Sequence, residues 1–182
     1  IDANYFYFTE ALCWPILKEI LEKKLMADPE DVNDRMRELA LKLPVDSYIQ
    51  IVIRFIGQSA LFYMRIRGLG TLKLNSTKEY VNKYITEFYQ VDMFYRRTLE
   101  AYHELLTKEN PIELVLNAAK RQLDLEYDKI AKLLNLEWLT CVEEKGTWFT
   151  ETGLKHQEDF YANESDPNVK QVVIISDALR YE

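Results

Sequence analysis

The sequence contains little glycine and little proline, five residues of each among 182. This scarcity of turn-forming residues disfavours a β-sandwich or a β-barrel and favours long helices. The two cysteines, Cys13 and Cys141, are too few to form a zinc cluster alone or a disulfide framework. We therefore expect the protein to work in a reducing environment, the cytoplasm.

Long apolar runs are also missing from the sequence. No run approaches the roughly 20 residues that cross a bilayer, and the N-terminal residues lack the basic, apolar and small-residue blocks of a signal peptide. We expect neither membrane insertion nor secretion. The sequence does contain 48% hydrophobic and 13% aromatic residues, which is enough for the core of one folded domain or slightly more.

The charges are unevenly distributed along the chain. The whole chain carries a net charge of −7, whereas the segment from Ser47 to Thr86 carries +5, with Glu79 as its single acid. The basic residues of this segment are Arg54, Arg65, Arg67, Lys73, Lys78 and Lys83. They could form a surface for nucleic-acid phosphates or for an acidic partner. They could equally pair with surrounding acids once the chain folds, which is the commoner arrangement in proteins.

Apolar residues recur at helical spacing in five segments. The segments are Tyr5 to Met26, a shorter helix between the Asp28 cap and Pro44, Ser47 to Arg67, Ser76 to about Leu106, and Pro111 to about Leu136. The fourth begins with a capping box, because Glu79 stands three residues after Ser76. The last two segments predict an antiparallel helical hairpin, and the fold class is predicted to be mainly α, a multi-helix bundle.

An apolar stripe rich in tyrosine runs along the fourth segment at steps of three and four residues. Its members are Tyr80, Tyr84, Phe88, Val91, Tyr95, Leu99, Tyr102 and Leu106. Such a stripe predicts a face buried in the core. Asp92 lies beside it, and Arg96, one turn further, is its predicted ion-pair partner.

The pattern changes towards the C-terminus. We expect a loop from Val142 to Gly153, a small helix from Leu154 to Tyr161 and a boundary that separates a helical domain, 1–162, from 163–182. The run Val172 to Ile175 is apolar and β-branched, as in a buried parallel strand. A single parallel strand needs neighbours, so we expect it to be the first strand of an α/β domain that continues after Glu182.

The terminal string VVIISDALRYE, 172–182, resembles the first motif of the PglZ domain, a branch of the alkaline phosphatase superfamily found in BREX-type bacteriophage-defence systems. The resemblance implies that Asp177, at the end of the strand, is a ligand to a catalytic divalent metal such as Zn, Mg or Mn in the full-length parent. A carboxylate beyond a strand's carboxyl end suits that role. The alternative is that Ser176 or Asp177 caps the helix that follows.

Two hypotheses of function follow. In the first, the chain is the helical scaffold or interaction region of a PglZ-type phosphatase or phosphodiesterase, and the resemblance implies other phage-defence proteins as partners and nucleic acid as a candidate substrate. The chain itself is expected to be catalytically incomplete and to hold no metal tightly. In the second, it is a self-contained helical module that binds protein, or binds nucleic acid through the +5 segment. His103 and His156 have no ligand-spaced neighbours and are not expected to bind metal.

Overall fold

The computed structural model describes residues 3–44, 47–107 and 111–145. In these ranges the chain forms helices joined by short connections, without a β-strand, which confirms the mainly α prediction. None of the described helices combines the length and the hydropathy required to cross a membrane. The predicted small helix at 154–161, the boundary at 162, the strand at 172–175 and Asp177 all lie outside the described residues.

Two helices form the N-terminal part. Helix α1 spans Ala3–Glu19 and passes directly into a π-helical turn, Ile20–Lys24. Helix α2 spans Pro29–Lys42 and begins as predicted, because the Asp28 carboxylate accepts a hydrogen bond from the Asp31 N–H at 3.2 Å. The apolar spacing from Tyr5 to Met26 predicts one buried helix, and this prediction is wrong for Leu12 and Ile16, which are exposed.

Helix α3, Tyr48–Gly68, is the central element and packs against both α2 and α5. The Ser47 side chain caps it by accepting the Ile49 N–H at 3.3 Å. Its apolar residues line more than one face, since two neighbours cover it. The fully buried residues of this helix include Ile49, Val52, Phe55, Ile56 and Phe62. Burial by both neighbours outweighs the strand propensity of the β-branched run at 51–53.

The next helical stretch consists of α4, Thr77–Lys83, a π-helical turn, Tyr84–Phe88, and α5, Tyr89–Leu105, which follow one another directly. The Ser76 cap is confirmed, whereas the reciprocal bond of the predicted capping box is displaced by one residue. Ser76 Oγ accepts the Glu79 N–H at 3.2 Å, and the Glu79 carboxylate reaches back to the Asn75 N–H at 2.9 Å.

Helix α6, Glu113–Lys145, runs antiparallel to this stretch and completes the predicted hairpin. Tyr102 contacts Asn117 near the connection, whereas Tyr80 contacts Trp138 at the far end. The helix is longer than predicted. It continues to Lys145, so the prediction of a loop is wrong for residues 142–145.

The tyrosine-rich stripe is only partly core. Tyr80, Phe88 and Val91 are buried, but Tyr84 is 38% exposed and Leu106 57% exposed. Beyond Val91 the buried residues are Thr98, Ala101 and Leu105. Helix α5 is covered on two sides: small buried residues allow a close approach to α3, while half-buried Tyr95 and Tyr102 contact residues of α6.

Candidate functional site

An apolar groove lies between the π turn that precedes α5 and the C-terminal half of α6. Its volume is about 360 Å³, which lies in the range of sites that bind small molecules or a few side chains of a partner. We call it the hairpin groove. Its lining residues are Tyr80, Val81, Tyr84, Ile85 and Phe88 on one wall and Leu134, Asn135 and Trp138 on the other.

Tyr80 and Trp138 form one end of the hairpin groove. Their rings meet edge to face, with centroids 5.7 Å apart and planes at 81°, a favourable aromatic geometry. The Tyr80 hydroxyl donates to the Leu72 carbonyl at 2.9 Å and accepts the Leu74 N–H at 3.1 Å. Burial raises the pKa of Tyr80, so this hydroxyl stays protonated and keeps its donor role. The loop before α4 thus fixes this end of the groove.

The π turn that forms the first wall is held by two cations. Arg65 of α3 donates its Nε–H to the Glu87 carbonyl at 3.2 Å and lies 3.7 Å from the Glu87 carboxylate. Lys83 pairs with the same carboxylate. A π turn has a widened backbone ladder and is often found at functional sites. Here the ion pairs of Arg65 and Lys83 with Glu87 hold the π turn in place beside the hairpin groove.

Asp92 connects the groove to the hairpin interface. Its carboxylate accepts one hydrogen bond from the Tyr84 hydroxyl at 2.8 Å and another from the Tyr127 hydroxyl at 3.0 Å. The predicted pair between Asp92 and Arg96 is therefore wrong, because Arg96 points to Glu100 instead. Two tyrosine hydroxyls, one on each helix, provide the partners that the half-buried carboxylate needs.

A second carboxylate continues these polar contacts along the hairpin. The rings of Tyr95 and Tyr127 stack at 3.8 Å with nearly parallel planes. The Tyr95 hydroxyl donates to Asp124 at 3.0 Å, and Lys120 pairs with the same carboxylate at 2.6 Å. Burial, followed by the bond to Asp124, raises the pKa of Tyr95. The Tyr95 hydroxyl is thus a proton donor in a fixed position.

The structure disperses the six basic residues of the +5 segment rather than forming one free patch. Arg54 pairs with Glu104, Arg65 and Lys83 pair with Glu87, and Arg67 lies 3.8 Å from Glu30 and donates to the Met26 carbonyl. The two others, Lys73 and Lys78, are exposed, and neither has an ion pair with a described residue. Pairing thus reduces the positive charge that phosphate groups could meet.

The described residues do not include a metal centre. No group of three or more histidine, cysteine, aspartate or glutamate side chains in these ranges could hold an ion. His103 is exposed. Cys13 and Cys141 are buried and are not joined by a disulfide. Because Asp177 lies outside the described part, we assign no catalytic step to the residues discussed above.

Sequence reasoning missed the hairpin groove. Val81 and Ile85 each follow a residue of the tyrosine-rich stripe, and Trp138 lies beyond the point where we expected α6 to end. The available signal was a second set of apolar residues at helical spacing, displaced by one position from the first. Comparison of the chain with protein-family models, with curated proteins and with solved structures finds no match.

Proposed function

We propose that the chain is the helical interaction region of a PglZ-type, metal-dependent phosphatase or phosphodiesterase of bacteriophage defence in the cytoplasm. The observation that carries the interaction role is the hairpin groove, an apolar groove of about 360 Å³ with at least one aromatic ring in each wall. The association with a PglZ domain is supported by the resemblance of the segment 172–182 alone. In this proposal the helices bind and the domain that follows performs the hydrolysis.

The hairpin groove favours protein binding over phosphate binding. Its walls are formed by aromatic and aliphatic side chains, and Asn135 is the single amide among the lining residues. Apolar grooves of this kind bind aromatic or aliphatic side chains, which lose water on entry. We therefore propose another protein of the defence assembly as the occupant, anchored by large apolar side chains.

The interaction role is tested with Ile85→Glu, which places a charge in the hairpin groove, and with Leu41→Glu as a matched control on α2. Leu41 is 89% exposed and distant from the groove in sequence. The full-length protein, tagged in its own host, is cross-linked and purified with its partners. We expect Ile85→Glu to lose partners that the wild type and Leu41→Glu both retain. Identical partners for both variants would contradict the role of the groove.

The catalytic association is tested separately in the full-length protein through Asp177→Asn. This change removes one negative charge and preserves the size of the side chain. If Asp177 is a metal ligand, metal content and hydrolysis of p-nitrophenyl phosphate and bis(p-nitrophenyl) phosphate fall together. Normal metal content with normal hydrolysis would assign Asp177 to a helix cap instead. Failure of this test leaves the groove experiment unaffected.

A further inference from the structure

Helix α6 carries a second apolar face, away from its core face and from the hairpin groove. Leu114, Leu125 and Leu136 are 83%, 64% and 60% exposed. They follow one another at intervals of 11 residues, which is slightly more than three helical turns. They therefore form a nearly straight row with about 16 Å between neighbours. We call this row, together with exposed Leu139, the outer stripe.

The outer stripe lies opposite the buried side of α6. Leu116, Leu123 and Cys141 are buried, and on a helical wheel they lie about 160 to 180° from Leu125. Single exposed leucines are ordinary on protein surfaces. A row that repeats along a helix already packed on its other side is different, because packing among the described residues does not explain it.

Three cations flank the outer stripe. Arg121 lies four residues before Leu125, Lys129 lies four residues after it, and Lys132 lies four residues before Leu136, so each is on the same side of the helix as a stripe leucine. All three are exposed, and none forms an ion pair with a residue of the described ranges. This contrasts with the paired cations of the +5 segment.

The charge balance of this face is positive although the whole chain is acidic. Of the exposed charged residues three or four positions from a stripe leucine, three are basic and two, Asp128 and Glu143, are acidic, a balance of +1, whereas the chain as a whole carries −7. A straight apolar row with flanking cations complements a helix that carries an apolar row with flanking anions. We propose that the outer stripe binds an acidic amphipathic helix of a partner protein.

A second copy of the chain fits this face less well. An antiparallel pair of α6 helices with Leu125 packed on Leu136 places Lys129 of one copy opposite Lys132 of the other. Two such like-charged contacts disfavour the pair. An anionic membrane also fits less well, since the acidic chain would be repelled by a surface of the same sign.

The test uses two synthetic probes and fluorescence anisotropy. The first is a labelled, alanine-based peptide of about 25 residues, long enough for helix formation, with leucines at the 11-residue interval of α6 and glutamates four residues from them. The second carries lysines in place of these glutamates. We expect the glutamate peptide to bind at least about tenfold more tightly than the lysine peptide, with an advantage that decreases as salt rises.

Variants of the full chain assign the binding to this face. Lys129→Glu combined with Lys132→Glu is expected to reverse the preference, so that the lysine peptide binds more tightly. Leu125→Glu is expected to weaken binding of the glutamate peptide at least about tenfold, while Leu41→Glu leaves it unchanged. Because Leu125 is exposed, its variant should retain the helical circular dichroism and the melting temperature of the wild type.

Several results would overturn the proposal. They are equal affinity for the two peptides, absence of binding to the glutamate peptide, an equal loss with Leu41→Glu, and unfolding of Leu125→Glu, which would show that this leucine is buried. A dimer mass by light scattering that Leu125→Glu converts to a monomer mass would identify a second copy as the occupant. Preferential binding to phosphatidylserine vesicles would identify a membrane. The hairpin-groove variant Ile85→Glu should retain the peptide, which separates this inference from the proposed function.

Discussion

The two hydrogen bonds to Asp92 allow the hairpin interface to be tested directly. In Asp92→Ala, the hydroxyls of Tyr84 and Tyr127 lose an acceptor at 2.8 and 3.0 Å. A hydrogen bond to a charged group stabilises a fold by about 1.5 to 3 kcal/mol when buried. Tyr84 is 38% exposed, so water can replace the lost acceptor of its hydroxyl in part. We therefore expect Asp92→Ala to lower the free energy of unfolding by about 2 kcal/mol.

Two further variants separate this arrangement from the ion pair that the sequence predicts. Tyr127→Phe removes one of the two donors and should cost about 1 kcal/mol. Arg96→Ala removes a half-buried cation that pairs with Glu100 one turn further along the same helix, and should cost about 0.5 kcal/mol. If Asp92 paired with Arg96 instead, the order of these two effects would be reversed.

The measurement is urea unfolding monitored by circular dichroism, and all variants are fitted with one common dependence of the free energy of unfolding on urea concentration. A loss of 2 kcal/mol corresponds to a decrease of about 4 to 8 °C in melting temperature for a chain of this size. An unchanged urea midpoint for Asp92→Ala, or a larger effect of Arg96→Ala than of Tyr127→Phe, would refute the reasoning. The double variant Asp92→Ala/Tyr127→Phe should cost less than the sum of its parts, because the two side chains share one interaction.

The remaining predictions concern a core phenylalanine, two tyrosines and the basic segment. Phe55→Ala should cost about 3 to 5 kcal/mol because the ring is fully buried, and a urea midpoint close to wild type would contradict this. Tyr95→Ala should cost about 2 kcal/mol through its stacking contact and one hydrogen bond, whereas equal stability of Tyr95→Ala and Tyr95→Phe would show that the stack contributes nothing. Burial raises the pKa of Tyr63 to about 12, so its neutral hydroxyl stabilises the fold fully below pH 10, and up to about 3 kcal/mol of this stabilisation is lost as the pH rises through 12. The stability of Tyr63→Phe should therefore decrease less in alkali than that of the wild type. Identical dependence of stability on pH in the two proteins would contradict this prediction. Double-stranded DNA should bind weakly, and Lys73→Ala/Lys78→Ala should reduce its salt slope by about 2, because these two cations of the +5 segment have no ion pair with a described residue. An equal reduction with Arg54→Ala/Arg65→Ala would restore the whole +5 segment as a phosphate-binding surface.

The helix beginnings could be predicted because each is encoded in a few adjacent residues. Asp28 before Pro29, and Ser76 before Glu79, cap the helices that they were expected to cap, and Ser47, where the third predicted segment begins, caps α3. These signals are local: a side-chain oxygen satisfies an N–H group of the first turn, whatever the rest of the fold does. The antiparallel hairpin followed from two long apolar patterns joined by a short connection.

The pattern of burial along α5 could not be predicted in the same way. A π turn before α5 adds a residue to one turn and changes the direction of the residues on either side of it. Thr98 is buried although it is polar, because its hydroxyl donates to the Phe94 carbonyl at 2.8 Å in its own helix and its small size suits the contact with α3. Apolar periodicity does not detect either effect.

The candidate site depended on tertiary contacts that the sequence pattern does not contain. Tyr127 lies 35 residues from Asp92, and its hydroxyl, not the cation one turn away, is the partner of the carboxylate. The hairpin groove likewise requires Trp138 of α6 to face residues of the π turn. The role of Asp177 as a metal ligand, which is the most specific chemical prediction from the sequence, remains a prediction.

The π turn at Tyr84–Phe88 is the place in this stretch where the number of residues can change without a change of direction. Thr86 is exposed, so its replacement by another polar residue should be well tolerated. Its deletion should return the turn to α-helical winding, because a π turn takes up one extra residue within its widened backbone ladder, and α4 and α5 would keep their relative direction. An insertion or deletion within α4 or α5 is different, because it rotates the residues on either side by about 100° relative to each other. Such a change would abolish the groove without altering any residue that lines it.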